Sequence, residues 1–419
     1  MKTKVALLLS TASLLHAGPP DLKTTLAAKP EPWIKPTVDI RARYEFRDIQ
    51  GAADPSNALT FRERLGLKTQ AWNGFSAFAE GEFTQAAIDD YTAAAPGAHP
   101  FKPKQTLIAD PETNELNQAF LQYAGFDTVV KAGRQRIIYD NAAFIGNVGW
   151  RQNEQTFDAI SLSNTSIDGL TLNYAYIDQV NRIYGSDADG PLLAPTKAGI
   201  KDNVQDINAN VNLFNASYTG IKGITLGGYA YLMDFNDKRN WDNNTFGVSA
   251  KGKLLGLALY GELAYQDKAG FAADDDALYA QISATKAFGD QSITLGVTHL
   301  DAGFKTPLAT VHPLDGFADV FTVGRIEGTH NGLTDVCLSH TIPIYRGIKW
   351  MNALHAFGDN GVSTGYGWEY DSVLTKKFDA NFTALAKFAQ FESSNDDAFV
   401  GSTPLRDTTQ VSVELDYTF

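Results

Sequence analysis

The sequence predicts an all-β fold, a transmembrane antiparallel β-barrel of about eighteen strands with short periplasmic turns and long extracellular loops. Three observations carry this expectation. Residues 408–419 read as a strand with two unlike faces, Val411, Val413, Leu415, Tyr417 and Phe419 on one side and Gln410, Ser412, Glu414, Asp416 and Thr418 on the other. The same period-two alternation recurs back along the chain. The chain also opens on a secretory leader, with Lys2 and Lys4 ahead of an apolar run over 5–15 and a cleavage position after Ala17.

The leader sets the compartment. Its apolar run is about a dozen residues, short of the roughly 20 that a spanning helix needs, and no other stretch is a helical candidate. Residues 1–17 are therefore read as a signal peptide, 18–36 as a periplasmic N-terminal segment and 37–419 as the barrel. No cysteine follows the leader to carry a lipid anchor, and the single Cys337 has no intrachain partner, so stability does not rest on disulfides. A net charge of −13 gives no electrostatic case for nucleic acid. With 36 Gly, 25 Phe and 17 Tyr the composition favours strands and turns. No linker-like shift follows Pro36, which favours one large closed sheet over several domains.

In order along the chain, residues 37–47 set Val38, Ile40, Ala42, Tyr44 and Phe46 against Asp39, Arg41, Arg43, Glu45 and Arg47. Residues 59–70 repeat this, with Phe61, Leu65 and Leu67 against Arg62, Arg64 and Lys68; Phe75, Ala77, Ala79, Gly81 and Phe83 form the next apolar face. Further strands are expected over 115–125, 128–139, 156–163, 169–179, 207–218, 223–235, 243–253, 255–266, 277–288, 291–302, 334–342, 348–357, 366–377 and 380–392. Connections alternate between tight ones, as at Asn73-Gly74, Asp168-Gly169 and Gly289-Asp290, and long ones, as over 85–114, 140–155, 180–206 and 303–333. Lipid cannot satisfy an open sheet edge, so the first and last strands must pair. Tyr44, Phe46, Trp72, Trp350, Tyr366, Trp368, Tyr417 and Phe419 are expected in interfacial girdles.

If apolar faces meet lipid, the opposite faces line the lumen, because a Lys or Arg on the lipid side at the midplane costs roughly 2–4 kcal/mol. Arg41, Arg43, Arg47, Arg62, Arg64 and Lys68 then make a basic wall. Counting out from the Asn73-Gly74 turn puts Glu82 opposite Arg62 and Glu80 opposite Arg64, a cross-strand ladder that would make these arginines structural. Arg41, Arg43 and Lys68 have fewer obvious partners and are candidates for contacting a passing anion, since the guanidinium fork matches carboxylate oxygens. Farther on, Arg134 and Arg136 share a face with Val130, Ala132 and Ile138, so either the strand bulges there or these arginines sit at the rim. The polar stretch around Trp150 either folds back as a constriction or packs on its neighbours.

The run 133–158, from Gly133-Arg134-Gln135-Arg136 through Gly149-Trp150-Arg151-Gln152-Asn153-Glu154 to Asp158, resembles the central motif of the alginate export family of bacterial outer-membrane porins. Arg62, Arg64 and the segment 72–82 resemble that family's early strands. The resemblance implies an eighteen-stranded barrel with a basic pore narrowed by extracellular loops. It marks Arg64, Arg134, Arg136 and Arg151 as pore or constriction residues, and does not by itself imply alginate as the solute.

The function expected is passive or facilitated passage of anionic or polar saccharide-like solutes across the outer membrane. The alternative is a weakly selective porin for small polar solutes or organic acids whose arginines are structural. The partners expected are lipid and lipopolysaccharide, the barrel-assembly machinery through the strand ending at Phe419, and the solute itself, with the barrel a monomer. An enzyme is not expected, because the histidines His99, His299, His312, His330, His340 and His355 are dispersed and Ser339 and His340 point to opposite strand faces. No cofactor or metal is expected, there being no phosphate-binding GxxxxGK[ST] loop and no metal-like spacing. The acidic clusters Asp187 with Asp189 and Asp274-Asp275-Asp276 read as solvated loop residues, with calcium bridging to lipopolysaccharide the lesser reading.

Overall fold

A computed structural model of the chain describes residues 32–51, 53–93, 98–186, 188, 205–236, 239–269, 275–360, 365–394, 399–400 and 403–419. The leader, and Asp187, Asp189 and Asp274 of the acidic clusters, lie outside the described residues. Eighteen strands form one sheet. They are β1 Ile34–Ile49, β2 Ser56–Thr69, β3 Phe75–Asp90, β4 Thr113–Gly125, β5 Thr128–Gln135, β6 Thr156–Ile167, β7 Leu170–Asn181, β8 Asp206–Tyr218 and β9 Ile224–Phe235. The second half holds β10 Asn243–Leu254, β11 Leu257–Ala269, β12 Asp275–Phe288, β13 Gln291–Leu300, β14 Leu333–Pro343, β15 Lys349–Gly358, β16 Gly365–Lys377, β17 Phe382–Ser393 and β18 Thr408–Thr418. Every strand pairs antiparallel with its chain neighbours, and β18 also pairs with β1, with Arg41 opposite Asp416 and Arg43 opposite Glu414. That last pairing removes the sheet's edges, as a span through lipid demands. No helix among the described residues is long and apolar enough to cross a membrane.

The two rims differ as the sequence predicts. Asn73 and Gly74 both take positive φ, as do Phe126 with Asp127 and Leu255 with Gly256, the backbone that a two-residue hairpin turn requires. Outward side chains such as Phe61, Leu65, Leu121, Ile160, Leu263, Ile282, Leu338 and Leu354 remain exposed and form the apolar band. Trp72, Trp350, Trp368 and Phe419 are exposed near its edges. Tyr366 departs from the expected girdle: it is buried and donates to the Gly332 carbonyl at 3.0 Å. The register slips between Phe357 and Gly358, and Gly367 takes φ +150°, so the start of β16 turns this ring inward.

Strand β5 ends at Gln135, four residues before the alternation does. Gly133 takes φ +123°, and a Cβ there would meet the Ala119 carbonyl oxygen at 2.3 Å. A Gly133→Ala barrel is therefore expected to be less stable by about 1–3 kcal/mol. The check is the temperature at which the purified barrel loses its compact gel form, and an unchanged midpoint contradicts it.

The rule that apolar faces meet lipid inverts in the extracellular half of β8. Ile207, Ala209, Val211 and Leu213 are buried inside, whereas Asn208 and Asn210 are exposed outside. The reason is that loops fill the upper lumen. Phe144 packs against Tyr229, Tyr279 and Phe304 at ring-centroid distances of 5.2, 5.2 and 6.0 Å, so at this height the interior is dry and the exterior wet.

Candidate functional site

Two loops enter the lumen and meet there. The first, residues 136–155, is tied to the basic wall of β1 and β2 through its own backbone. Arg41 donates to the carbonyls of Gly149, Trp150 and Arg151 at 3.2, 3.3 and 3.0 Å. Arg43 donates to the Trp150 carbonyl at 2.6 Å, and Arg64 to the Gln152 carbonyl at 3.2 Å. Side chains complete the seam: Gln152 donates to Thr60 Oγ1 at 2.8 Å, and Asn153 Oδ1 accepts from Thr84 and Thr113 at 2.6 and 3.0 Å. A carbonyl has lone pairs left for such a donor, which lets a loop sit in a polar lumen without unmade hydrogen bonds.

The second loop, residues 301–332, carries the short helix α1, Thr322–Glu327. Gly146 N–H donates to the Leu308 carbonyl at 2.8 Å and Thr310 N–H to that of Ala142 at 3.0 Å, so the loops pair like a scrap of parallel sheet. Trp150 donates its indole N–H to the Thr310 carbonyl at 2.7 Å and stacks on His312 with centroids 3.8 Å apart. Arg151 ties the assembly together, reaching Glu45 at 2.9 Å, Asp110 at 3.5 Å and Asp319 at 3.4 Å.

His312 contacts Asp319 through Nδ1 at 2.8 Å and the Lys387 ammonium through Nε2 at 3.1 Å. An ammonium only donates, so Nε2 must carry a lone pair and Nδ1 the proton. Burial pushes the His312 imidazole down to about 4, with Lys387 and Arg151 adding to it and Asp319 opposing. Burial alone would raise the Asp319 carboxyl, but His312, Arg151 and Arg47 outweigh it and hold it well below the usual carboxylate range. Glu154 is held at about 2 for the same reason, burial being overcome by Arg136, Arg64 and the Asn117 amide.

The wall cations are almost all matched by carboxylates. Arg41 meets Asp416 at 2.6 Å, and Arg43 meets Glu45 at 2.5 Å with Asp110 and Glu414 at 3.8 Å. Arg62 pairs with Asp39, Arg64 with Glu82 at 2.5 Å, and Arg136 bridges Glu80 and Glu154. The expected ladder is corrected by two residues. Glu82 lies opposite Arg64, Thr84 opposite Arg62 and Glu80 opposite Gly66, because the reversal closes at Trp72 and Phe75 around Asn73-Gly74. Of the two alternatives for Arg134 and Arg136, no bulge is seen: β5 pairs with β4 and β6 without a register shift and ends at Gln135. Beyond Gly133, Arg136 turns into the lumen, whereas Arg134 stays on the outward face and pairs with Asp158 at 2.7 Å, above Ala132 and Ile160.

Sequence reasoning missed Lys131 and Lys251 in the periplasmic half of the lumen. Lys68, Lys131 and Lys251 sit on inward positions of β2, β5 and β10, and among the described residues none has a carboxylate within 4 Å. Lys68 and Lys131 are close enough to repel each other, and Lys131 lies over the Phe120 ring at 4.9 Å. Around them the wall is largely Ser, Thr and Asn, including Ser249, Thr285 and Thr294. The signal available was the inward parity of these lysines near tight turns, where the strands lack acidic neighbours. The dispersed histidines also conceal a convergence. Cys337 lies opposite His355 across β14 and β15, with Asp335 and Asp371 beside it. Among the described residues no group of three or more His, Cys, Asp or Glu side chains is arranged to hold a metal ion.

A closed eighteen-stranded barrel with an apolar belt, tight turns on one rim and a lumen narrowed by inward loops defines the chain as a porin of the bacterial outer membrane. The profile of the family described as alginate export matches residues 33–282, and the chain belongs to that family. Its fold is similar to the crystal structure of Acinetobacter baumannii OccAB4, with a TM-score of 0.68 at 14% identity over 93% of this chain and 99% of that one. Pseudomonas aeruginosa OpdK, solved with vanillate, aligns with a TM-score of 0.66 at 13% identity over 92% and 98%, and OpdO from the same organism with 0.64 at 13% over 92% and 97%. No curated protein matches the chain.

Proposed function

We propose that the chain is a passive, non-enzymatic channel for small polar solutes that favours anions, and that this preference comes from the lysines of the periplasmic half. The single observation behind this reading is the pairing pattern. Arg41, Arg43, Arg62, Arg64, Arg136 and Arg151 each have a carboxylate within 4 Å, whereas Lys68, Lys131 and Lys251 have none among the described residues. A compensated cation projects little field into a pore, while an uncompensated one in a narrow low-dielectric passage concentrates counter-ions. The arginines act as braces for the loop 136–155. That OpdK carries vanillate, a carboxylate, in a similar barrel agrees with a small anionic solute.

Proteoliposomes bearing the barrel should swell faster in glucuronate than in glucosamine, a cation of similar size. Equal rates contradict the proposal. Passage of a polyuronate is the second reading, favoured by the alginate export profile, and it requires room that two inward loops reduce. Current blocked by uronate oligomers would favour that reading; current indifferent to them favours small solutes. The barrel acts as a monomer, and β18, with Val413, Leu415 and Tyr417 facing outward, is the strand by which the assembly machinery takes it up.

A further inference from the structure

We propose, on the anion-favouring reading above, that the periplasmic half of the lumen holds a binding site for flat aromatic carboxylates, built from the Phe78 and Phe120 rings between Lys68 and Lys131. Sheet register sets these side chains in a row. Lys68 of β2 stands opposite Phe78 of β3, Phe78 opposite Phe120 of β4, and Phe120 opposite Gly133 of β5. Lys131, one inward position nearer the periplasm on β5, closes the far end of the row with its Nζ 4.9 Å from the Phe120 ring centroid. All four side chains point inward by strand parity, as do the buried Arg64, Glu80, Gln118 and Gln135 on the same strands.

Two phenylalanines are out of place on a wall of polar side chains. Phe78 rests on the bare backbone of Gly66, where a Cβ would come within 3.0 Å of the ring, and tilts against Phe120 with centroids 5.5 Å apart. That packing fixes the pair against the wall and leaves both rings only half-buried. Aromatic surface left in water gains when a flat apolar body covers it. One inward position above, the wall changes character: Glu80 accepts from Asn117 and Gln118 at 2.9 Å each and pairs with Arg136. Lys68 and Lys131 meet no carboxylate within 4 Å among the described residues, and Lys68 and Arg136 lie near enough to Lys131 to repel its ammonium. Excess positive charge beside half-buried rings complements a ligand that is apolar in its body and anionic at its edge. A sugar acid has the charge but offers hydroxyls where the rings need an apolar face.

In the bound state the aryl ring packs against Phe78 and Phe120, offset or edge to face, and its carboxylate accepts hydrogen bonds from the Lys131 ammonium at one end of the row or from Lys68 at the other. Lysine suits the task, because an ammonium on a flexible stem follows a carboxylate moving past.

The test records single wild-type barrels and times the current blocks caused by 2-naphthoate and by glucuronate, two ring-bearing monoanions. Naphthoate blocks should last at least about fivefold longer than glucuronate blocks, and a Phe78→Leu, Phe120→Leu variant should shorten them toward the glucuronate value. The uncharged 2-naphthalenemethanol should block no longer than glucuronate. The wild-type comparison decides the matter even if the leucine variant fails to fold. Equal block times for naphthoate and glucuronate, in barrels that keep an anion-favouring reversal potential, overturn the site and leave the anion channel standing. A potential that does not favour anions overturns that reading and the site with it. A folded leucine variant that holds naphthoate as long as wild type also overturns the site.

Discussion

An Arg43→Ala barrel is expected to lose about 3–5 kcal/mol of stability, the usual cost of removing one partner from a buried ion pair. Arg43 is 1% exposed and is shared by Glu45, Asp110 and Glu414, all of them buried, while its Nη1 holds the Trp150 carbonyl. Truncation leaves Glu45 and Asp110 to Arg151 and Glu414 to Arg41 and Lys387, and frees the centre of the loop 136–155 at once. Arg134→Ala is the matched control. Its pair with Asp158 lies at the outer rim with the guanidinium a quarter exposed, so its loss should cost no more than about 1 kcal/mol. Guanidinium unfolding followed by gel mobility separates the two cases. Equal destabilisation would mean that the buried arginines are not braces. Arg43→Ala should also enlarge the unitary current, because the loop it holds narrows the lumen.

Acidification is the second large effect. His312 is neutral where it joins the two inward loops to β17, and its folded pKa of about 4 lies below the ordinary value of about 6.5. A lowered histidine pKa contributes stability that is present above the unfolded value and is lost as pH falls through the folded value. The window therefore runs from about pH 6.5 down to about 4. The groups facing the ring are Asp319, Arg151 and Lys387, with Glu414 behind Lys387 at 3.9 Å. Asp319 stays ionised throughout, so the added proton lands against the Lys387 ammonium. The contact opens, and with it the Trp150 stack. Open-channel current should rise and become noisier across that window in wild type, and a His312→Gln variant, which keeps a donor for Asp319 and an acceptor for Lys387, should be flat. A pH response surviving in His312→Gln places the switch elsewhere.

The alternation of β1, β2 and β18 made the barrel legible, because a strand between lipid and water must separate its side chains by parity. What lay beyond it was long-range. Arg41 lacked a visible partner because Asp416 arrives only when the last strand closes against the first, whereas Arg43 meets Glu45 two residues along its own strand and gains Glu414 only on closure. Arg64 could be assigned to a ladder but not to the correct rung, since a turn centred on Asn73-Gly74 sets the count and its closure at Trp72 and Phe75 is a backbone detail. Ile207, Val211 and Leu213 read as lipid-facing because their true solvent, two loops folded into the lumen, is distant in sequence. Cys337 and His355 seemed unrelated for the same reason: eighteen residues and a turn separate them, and only the β14 and β15 register sets them opposite each other.

The most direct test of where selectivity resides is the reversal potential of single barrels under a potassium chloride gradient, comparing wild type with a Lys68→Gln, Lys131→Gln, Lys251→Gln triple variant. The account predicts an anion-favouring potential in wild type that falls toward zero in the triple variant. An anion preference untouched by the triple variant, but abolished by Arg41→Gln, would contradict it and return selectivity to the arginine wall.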